Sequence, residues 1–468
     1  MKRGKVFYQG SLRSIFNSKL AITQALRLIT FNFFNDIIML SENWPFQPSK
    51  TPFFYGWIIL LFSTLGILFS IPGQTIGLAV FTDSFIDALD LSRTQLSLAY
   101  FFGTFGSSLF LTKAGRWFDL FGGRIMMTIS SIALSLMILY ISFIEELGRL
   151  FGGSSVLVFI LILFGYFGVR FFGQGVLTNC SRNILLLWFD KKRGLVCGIR
   201  SVFVSIGFSL SPIILVGLIS AFGWREALCI LAGVGGIGFS LVAFLFTRDD
   251  PASCNLMVDG IDNHLVEESK QEVSKSKTLK YVKRSPIYWI YALSLGMHAM
   301  FGTALVFHIV AIFGEAGRGS EEAFNYFFPA AIFSTFTNLF ASWLTDKYAL
   351  KPFLITMLIA FCIGSWGLIN LEYIWGFWFL VIGFGIGGGL WGVISNLAYV
   401  RFFGSKYLGE ISGFGTSISV FCSAVGPAAF SLAFDYLGSY TSAFQICLVF
   451  LLVLLFISIF LNQKEQVN

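Results

Sequence analysis

WFDKKRGLVCG at residues 188–198 and FFGSKYLGEISG at 402–413 are the stretches on which the organisation of this chain turns. A single offset brings Gly194 onto Gly409 and Gly198 onto Gly413, and it also carries Pro212 to Pro427 and Gly223 to Gly438. Several coincidences at one offset mark an internal duplication. The chain therefore consists of two homologous halves, and anything that serves both halves should lie between them.

Outward from these stretches the sequence is apolar. Of 468 residues, 56% are hydrophobic and 12% charged, about half the charge of an ordinary soluble domain. The mean hydropathy is +0.78. No water-soluble core absorbs that much apolar surface, whereas hydrocarbon solvates Leu and the 56 Phe on every helix face. Windows of about 20 apolar residues predict spans near 54–80, 95–113, 125–144, 155–186, 194–219 and 225–247. A second set follows near 286–313, 323–345, 352–370, 375–400, 409–434 and 440–462. The expected fold is an all-α membrane protein with 12 transmembrane helices in two six-helix bundles related by pseudo-two-fold symmetry. Its parts are an N-terminal tail with an interfacial helix (1–52), a first bundle (53–247), a polar solvated linker (248–284), a second bundle (285–463) and a short tail (464–468).

Placing the N-terminus inside puts about 26 of the 32 Lys and Arg on the cytoplasmic side, leaving Arg93, Arg149, Arg225 and Arg318 outside. Arg182 is counted with DKKR in an inner loop, and Arg170 and Arg200 fall within spans. The expected location is a cell membrane, bacterial inner or plasma membrane, with both termini cytoplasmic. The run LITFNFFNDIIML near the start is too short to span and reads as an interfacial helix. The net charge of +7 is distributed by loop, which points away from nucleic acid. Seven cysteines without CxxC or Cys/His spacing, three histidines, and the lack of HExxH, P-loop or nucleophile-elbow patterns point away from a metal site, a cofactor or an enzyme.

After the second predicted span comes GRWFDLFGGR (Gly115 to Arg124), with a weaker copy, SWLTDKYALK, at 342–351. These resemble the signature loop of the major facilitator superfamily, and the stretches at 55–81, 188–199 and 424–440 resemble its monocarboxylate-transporter-like branch. The resemblance implies secondary transport by alternating access, with the loops latching a cytoplasmic gate. The gate residues it implies are Gly115, Arg116, Asp119, Gly122, Arg124, Asp346 and Lys347. The branch's first-span Lys and eighth-span Asp/Arg pair have no counterpart here, so proton-coupled lactate transport does not carry over.

Within the spans, polar residues are the candidates for chemistry. Arg170 lies roughly 24 Å of helical rise from Leu186, near mid-membrane, and an arginine there needs a partner or an aqueous cavity. RFFGQG (170–175) resembles the superfamily's fourth-span motif, which adds Gln174. The alternative for Arg170 is a structural contact. Arg200 is expected to snorkel to the headgroups, with a contact in the inner vestibule as its alternative. His298 and His308 on the seventh span are the buried groups that titrate near neutral pH, against a packing role for each. PGQT (72–75) breaks the first span, making Gln74 and Thr75 candidate solute contacts; Asn396 and Asn338 are polar positions in mid-helix, with interhelical bonding as their alternative. The Gly-rich run at 383–392 reads as close helix packing. Together these point to a monomeric transporter of a small solute, an organic anion such as a carboxylate, with H+ as a coupling ion. A neutral or lipophilic solute, and a non-transporting membrane sensor, stay open as alternatives.

Overall fold

The computed structural model describes residues 43–150, 152, 154–260 and 276–462. It divides into two units, Met1–Pro48 and Ser49–Asn468. Of the first unit only the short turn at 43–48 is described, so the expected interfacial helix lies outside the described residues.

The second unit holds the twelve spans. The first is broken: a helix at Gly56–Phe69, a tight turn at Ile71–Gly73, and a resumed helix at Thr75–Val80. Pro72 allows no regular helix through this point, and Gln74 is extended (ψ 160°). The second span is Arg93–Ser108, started by a reciprocal cap between Ser92 and Gln95. Ten further helices are long and apolar enough to cross a membrane. In order these third to twelfth spans are Leu111–Ser142, Ser155–Trp188, Arg193–Phe222, Trp224–Phe246, Pro286–Glu315, Glu321–Thr345, Leu350–Ile369, Ile374–Phe403, Leu408–Leu437 and Tyr440–Phe460. Within the third, Gly122 has φ 79° and ψ 167°, which separates the turn after the second span from the spanning part. Only a glycine adopts that conformation readily.

The duplication is visible in the backbone. Pro212 and Pro427 both lie inside helices, and Gly223 and Gly438 end the fifth and eleventh spans with positive φ. The halves meet in matched pairs: the eleventh span packs on the second and third, and the fifth packs on the eighth and tenth. The Gly-rich run acts as expected for close packing. A Cβ on Gly389 would overlap the Ser334 carbonyl of the eighth span, and one on Gly383 the backbone at Gly364 of the ninth. Large apolar side chains such as Phe203, Ile213, Phe328 and Phe456 point outward, as a hydrocarbon surround permits.

The segment read as a solvated linker begins folded. Trp188 Nε1 donates to the Arg248 carbonyl (3.0 Å), Asp249 accepts from the Arg124 amide (2.7 Å), and Asp259 accepts from the amides of Asp190 and Lys191 (3.1 and 2.8 Å). Short-range pattern gave no sign of this, because each carboxylate caps a backbone group distant in the chain.

Candidate functional site

One face of the molecule carries two equivalent latches. The Asp119 carboxylate accepts from the amides of Gly409 and Glu410, both at 2.7 Å. Asp346 accepts from the amides of Gly194 (2.6 Å) and Leu195 (2.9 Å). These are first-turn amides of the eleventh and fifth spans, which have no partner within the helix and lie at its positive end. Glycine is required for the approach: a Cβ on Gly115 would overlap the Gly409 carbonyl, and one on Gly194 the Ser342 carbonyl. Gly115 and Ser342 each precede their aspartate by four residues, so the latches are copies of one device. Burial pushes the Asp346 carboxyl above the ordinary carboxylate range, while the two amides and the Arg401 charge oppose the rise. Of the other residues expected at a gate, Arg124 donates to the Phe244 carbonyl (2.7 Å) and lies over that ring, Lys347 lies over Trp343 (4.0 Å), Gly122 makes the turn, and Arg116 is exposed.

Between the halves lies a cavity of about 200 Å³. The first half contributes Arg182, Arg200, Ser201 and Ser205; the second contributes Ser334, Asn338, Trp391, Ser395 and Asn396. No acidic residue is among the described lining. Arg200 is fully buried and spans the interface: its guanidinium donates to Asn396 Oδ1 of the tenth span at 2.7 Å. Its other contacts are long, to Ser63 Oγ (3.4 Å), the Arg182 carbonyl (3.5 Å) and Cys197 Sγ (3.8 Å). The Arg182 guanidinium, close enough for the two charges to repel, has no acceptor within hydrogen-bonding distance among the described residues. Asn338 donates to the Gly389 carbonyl (3.1 Å), and its Oδ1 is buried without a donor among the described residues.

Two expectations need correction. Arg200 does not snorkel: a cross-bundle amide holds it in the interior. Arg182 is no loop residue, for the fourth span runs on to Trp188 and carries it into the cavity. Both were within reach of a depth argument. The turn between the spans centres near Asp190 and Lys191, and Arg182 and Arg200 lie about nine residues to either side, hence at a common depth of roughly 14 Å.

Arg170 is buried on the fourth span, where the helix widens over Arg170–Leu177. It donates to the Gly73 carbonyl and to Thr75 Oγ1 (both 3.3 Å) and lies over the Tyr100 ring. The break at PGQT frees that carbonyl, so the buried cation and the broken helix answer each other. Arg170 is not among the residues lining the central cavity; its Nε, like Gln174 Oε1 nearby, has no partner among the described residues. Thr75 also pairs with Tyr100 (2.8 Å), and Gln74 donates to Ser70 and Thr178 (2.9 and 3.0 Å). His298 stacks on Phe361 and lies against Trp391, one ring removed from the cavity, with Nδ1 unpaired among the described residues. His308 is elsewhere, bonded to the Pro427 carbonyl (3.0 Å) and near Ser431 and Tyr440. Of the expected candidates, then, only Asn396 and Asn338 reach the cavity.

Comparison with known proteins adds four findings. A profile of the Major Facilitator Superfamily matches residues 62–427. The chain is 23% identical over 385 residues to the hexuronate transporter of Bacillus subtilis (strain 168), covering 76% of this chain and 83% of that one. It is 23% identical over 166 residues to the probable sulfoacetate transporter SauU of Cupriavidus necator, a match spanning only 35% of either chain. Among solved structures, the proton:xylose symporter XylE shares the fold with a TM-score of 0.67 at 15% identity, over 88% of this chain and 96% of that one.

Proposed function

The chain belongs to the major facilitator superfamily, and from that premise we propose that it is a secondary transporter of a small organic anion, moved by alternating access. One observation carries the reading: a cavity between the halves holds two guanidinium groups, Arg182 and Arg200, and no acid among its described lining. Burying such charges is costly unless an opposite charge compensates them. A transported anion supplies that charge, and the hydroxyl and amide groups around the cavity orient it. The named solutes of the two relatives, hexuronate and sulfoacetate, are both anionic, which supports the same class. The reading rests on the superfamily and not on its monocarboxylate-transporter-like branch.

Asp119 and Asp346 close the cytoplasmic face in the described state, the side assigned by the Lys and Arg distribution. Both must release for the halves to rock and open the cavity inward. Arg170 pins the broken first span, and His298, beside the cavity-lining Trp391, is the group placed to couple a proton. The protein sits in a cell membrane with both termini cytoplasmic and works as a monomer.

The test is uptake into proteoliposomes across a panel of organic anions and uncharged sugars, with and without a pH gradient. At least one anion should accumulate, and Arg200→Gln should reduce its uptake by about tenfold or more, the equivalent of ~1.4 kcal/mol. Uptake of uncharged sugars alone, or anion uptake unchanged in Arg200→Gln, would overturn the reading.

A further inference from the structure

The charge count in the cavity narrows the solute further. Resting on the anion reading above, we infer that the central cavity takes a compact hydroxylated dianion, with two acidic groups and at least one hydroxyl on a short carbon chain.

Three observations carry this. First, two guanidiniums face one cavity without an acid among its described lining. Arg200 gives one hydrogen bond of ordinary length, to the uncharged Asn396 amide, and Arg182 gives none to the described residues. A monoanion leaves one cation uncompensated, whereas two acidic groups answer both, each in the forked geometry that arginine offers a carboxylate, sulfonate or phosphate. Second, the cavity of about 200 Å³ is below the ~300–1,000 Å³ of drug-sized sites. Room for both acids at that size means a short chain between them. Third, the cavity-lining Ser201 and Ser395 hydroxyls donate to the Cys197 and Gly392 carbonyls of their own helices (2.8 and 3.2 Å), which leaves each an acceptor toward the solute. An acid ionised at both ends has no proton to give them. A hydroxyl on the solute supplies one. Ser201, Ser205, Ser334 and Ser395 around the cavity serve the same polar chain.

Isothermal titration of the purified full-length protein separates the possibilities with four probes of one carbon skeleton: succinate, its hydroxylated form malate, the monoamide succinamate and the diamide succinamide. Malate should bind tightest, succinate next, and succinamate about tenfold or more weaker than succinate. Arg182→Gln, which removes no hydrogen bond to the described residues and so spares the fold, should erase the gap between succinate and succinamate. Ser201→Ala combined with Ser395→Ala should erase the gap between malate and succinate. Equal binding of succinate and succinamate by the natural protein would overturn the dianion inference while leaving the anion reading intact. Equal binding of malate and succinate would overturn the hydroxyl. No binding of either dianion would overturn the whole inference, and succinamide binding as tightly as the charged probes would remove the anion reading with it.

Discussion

Arg200 is a cation buried inside a membrane protein, held by an amide of the opposite bundle and, among the described residues, by no carboxylate. Placing arginine at such depth costs at least ~2.5–3.5 kcal/mol on insertion scales, so its surroundings have to answer it. Asn396→Leu removes its shortest contact. A hydrogen bond to a charged group contributes about 1.5–3 kcal/mol, and thermal unfolding of the purified variant should show a loss of that order. An unchanged midpoint would mean that the contact is incidental. Arg170→Gln should be destabilising through a different contact, the freed Gly73 carbonyl. The cost should be about 1–3 kcal/mol, typical of a buried acceptor left unpaired. Individual residues were the least legible level in the sequence. A lone arginine in an apolar window stands out, as Arg170 does. Arg182 stands out less, because it lies eight residues before the Asp190-Lys191-Lys192-Arg193 cluster and shares its charge. The serines and asparagines of the cavity look the same on paper as those that bond helix to helix.

At the scale of elements, the two latches make matched predictions. Each closes over a buried native cysteine: Cys180 lies beside Gly115 and Phe118, and Cys197 is within electrostatic reach of Asp346. Asp119→Asn keeps one acceptor oxygen but sets an NH2 against the second amide. It should speed maleimide labelling of Cys180 by roughly tenfold, as expected for the loss of ~1.4 kcal/mol from the closed state. Asp346→Asn should do the same for Cys197. Unchanged labelling in both would show that the carboxylates do not hold the face shut. Gly115→Leu should open the same face by steric means, since its Cβ has no room against the Gly409 carbonyl. This level was legible in the sequence, because helix approach requires glycine and helix N-termini attract carboxylates. The repeat alone pointed to Gly194 and Gly409, the positions whose amides the two aspartates hold. What escaped was the folded start of the linker, where Asp249 and Asp259 cap groups brought near only by the tertiary fold.

At the scale of the molecule, the duplicated twelve-span architecture was legible because hydrocarbon tolerates only long apolar helices, and it was written into the sequence twelve times. Even the first span, broken into pieces of 14, 3 and 6 residues, announced its break through PGQT. The cavity was not legible, since it exists only where the halves meet. The most direct test is a spin-label distance measurement across the latch face, with labels at the exposed positions Arg116 and Lys406 in a background freed of native cysteines. Adding the transported anion should populate a second, longer distance, and Arg200→Gln should abolish that response while leaving the resting distance in place. A single distance that ignores the anion, or a response that survives loss of Arg200, would contradict an account in which two bundles rock about an arginine-lined cavity.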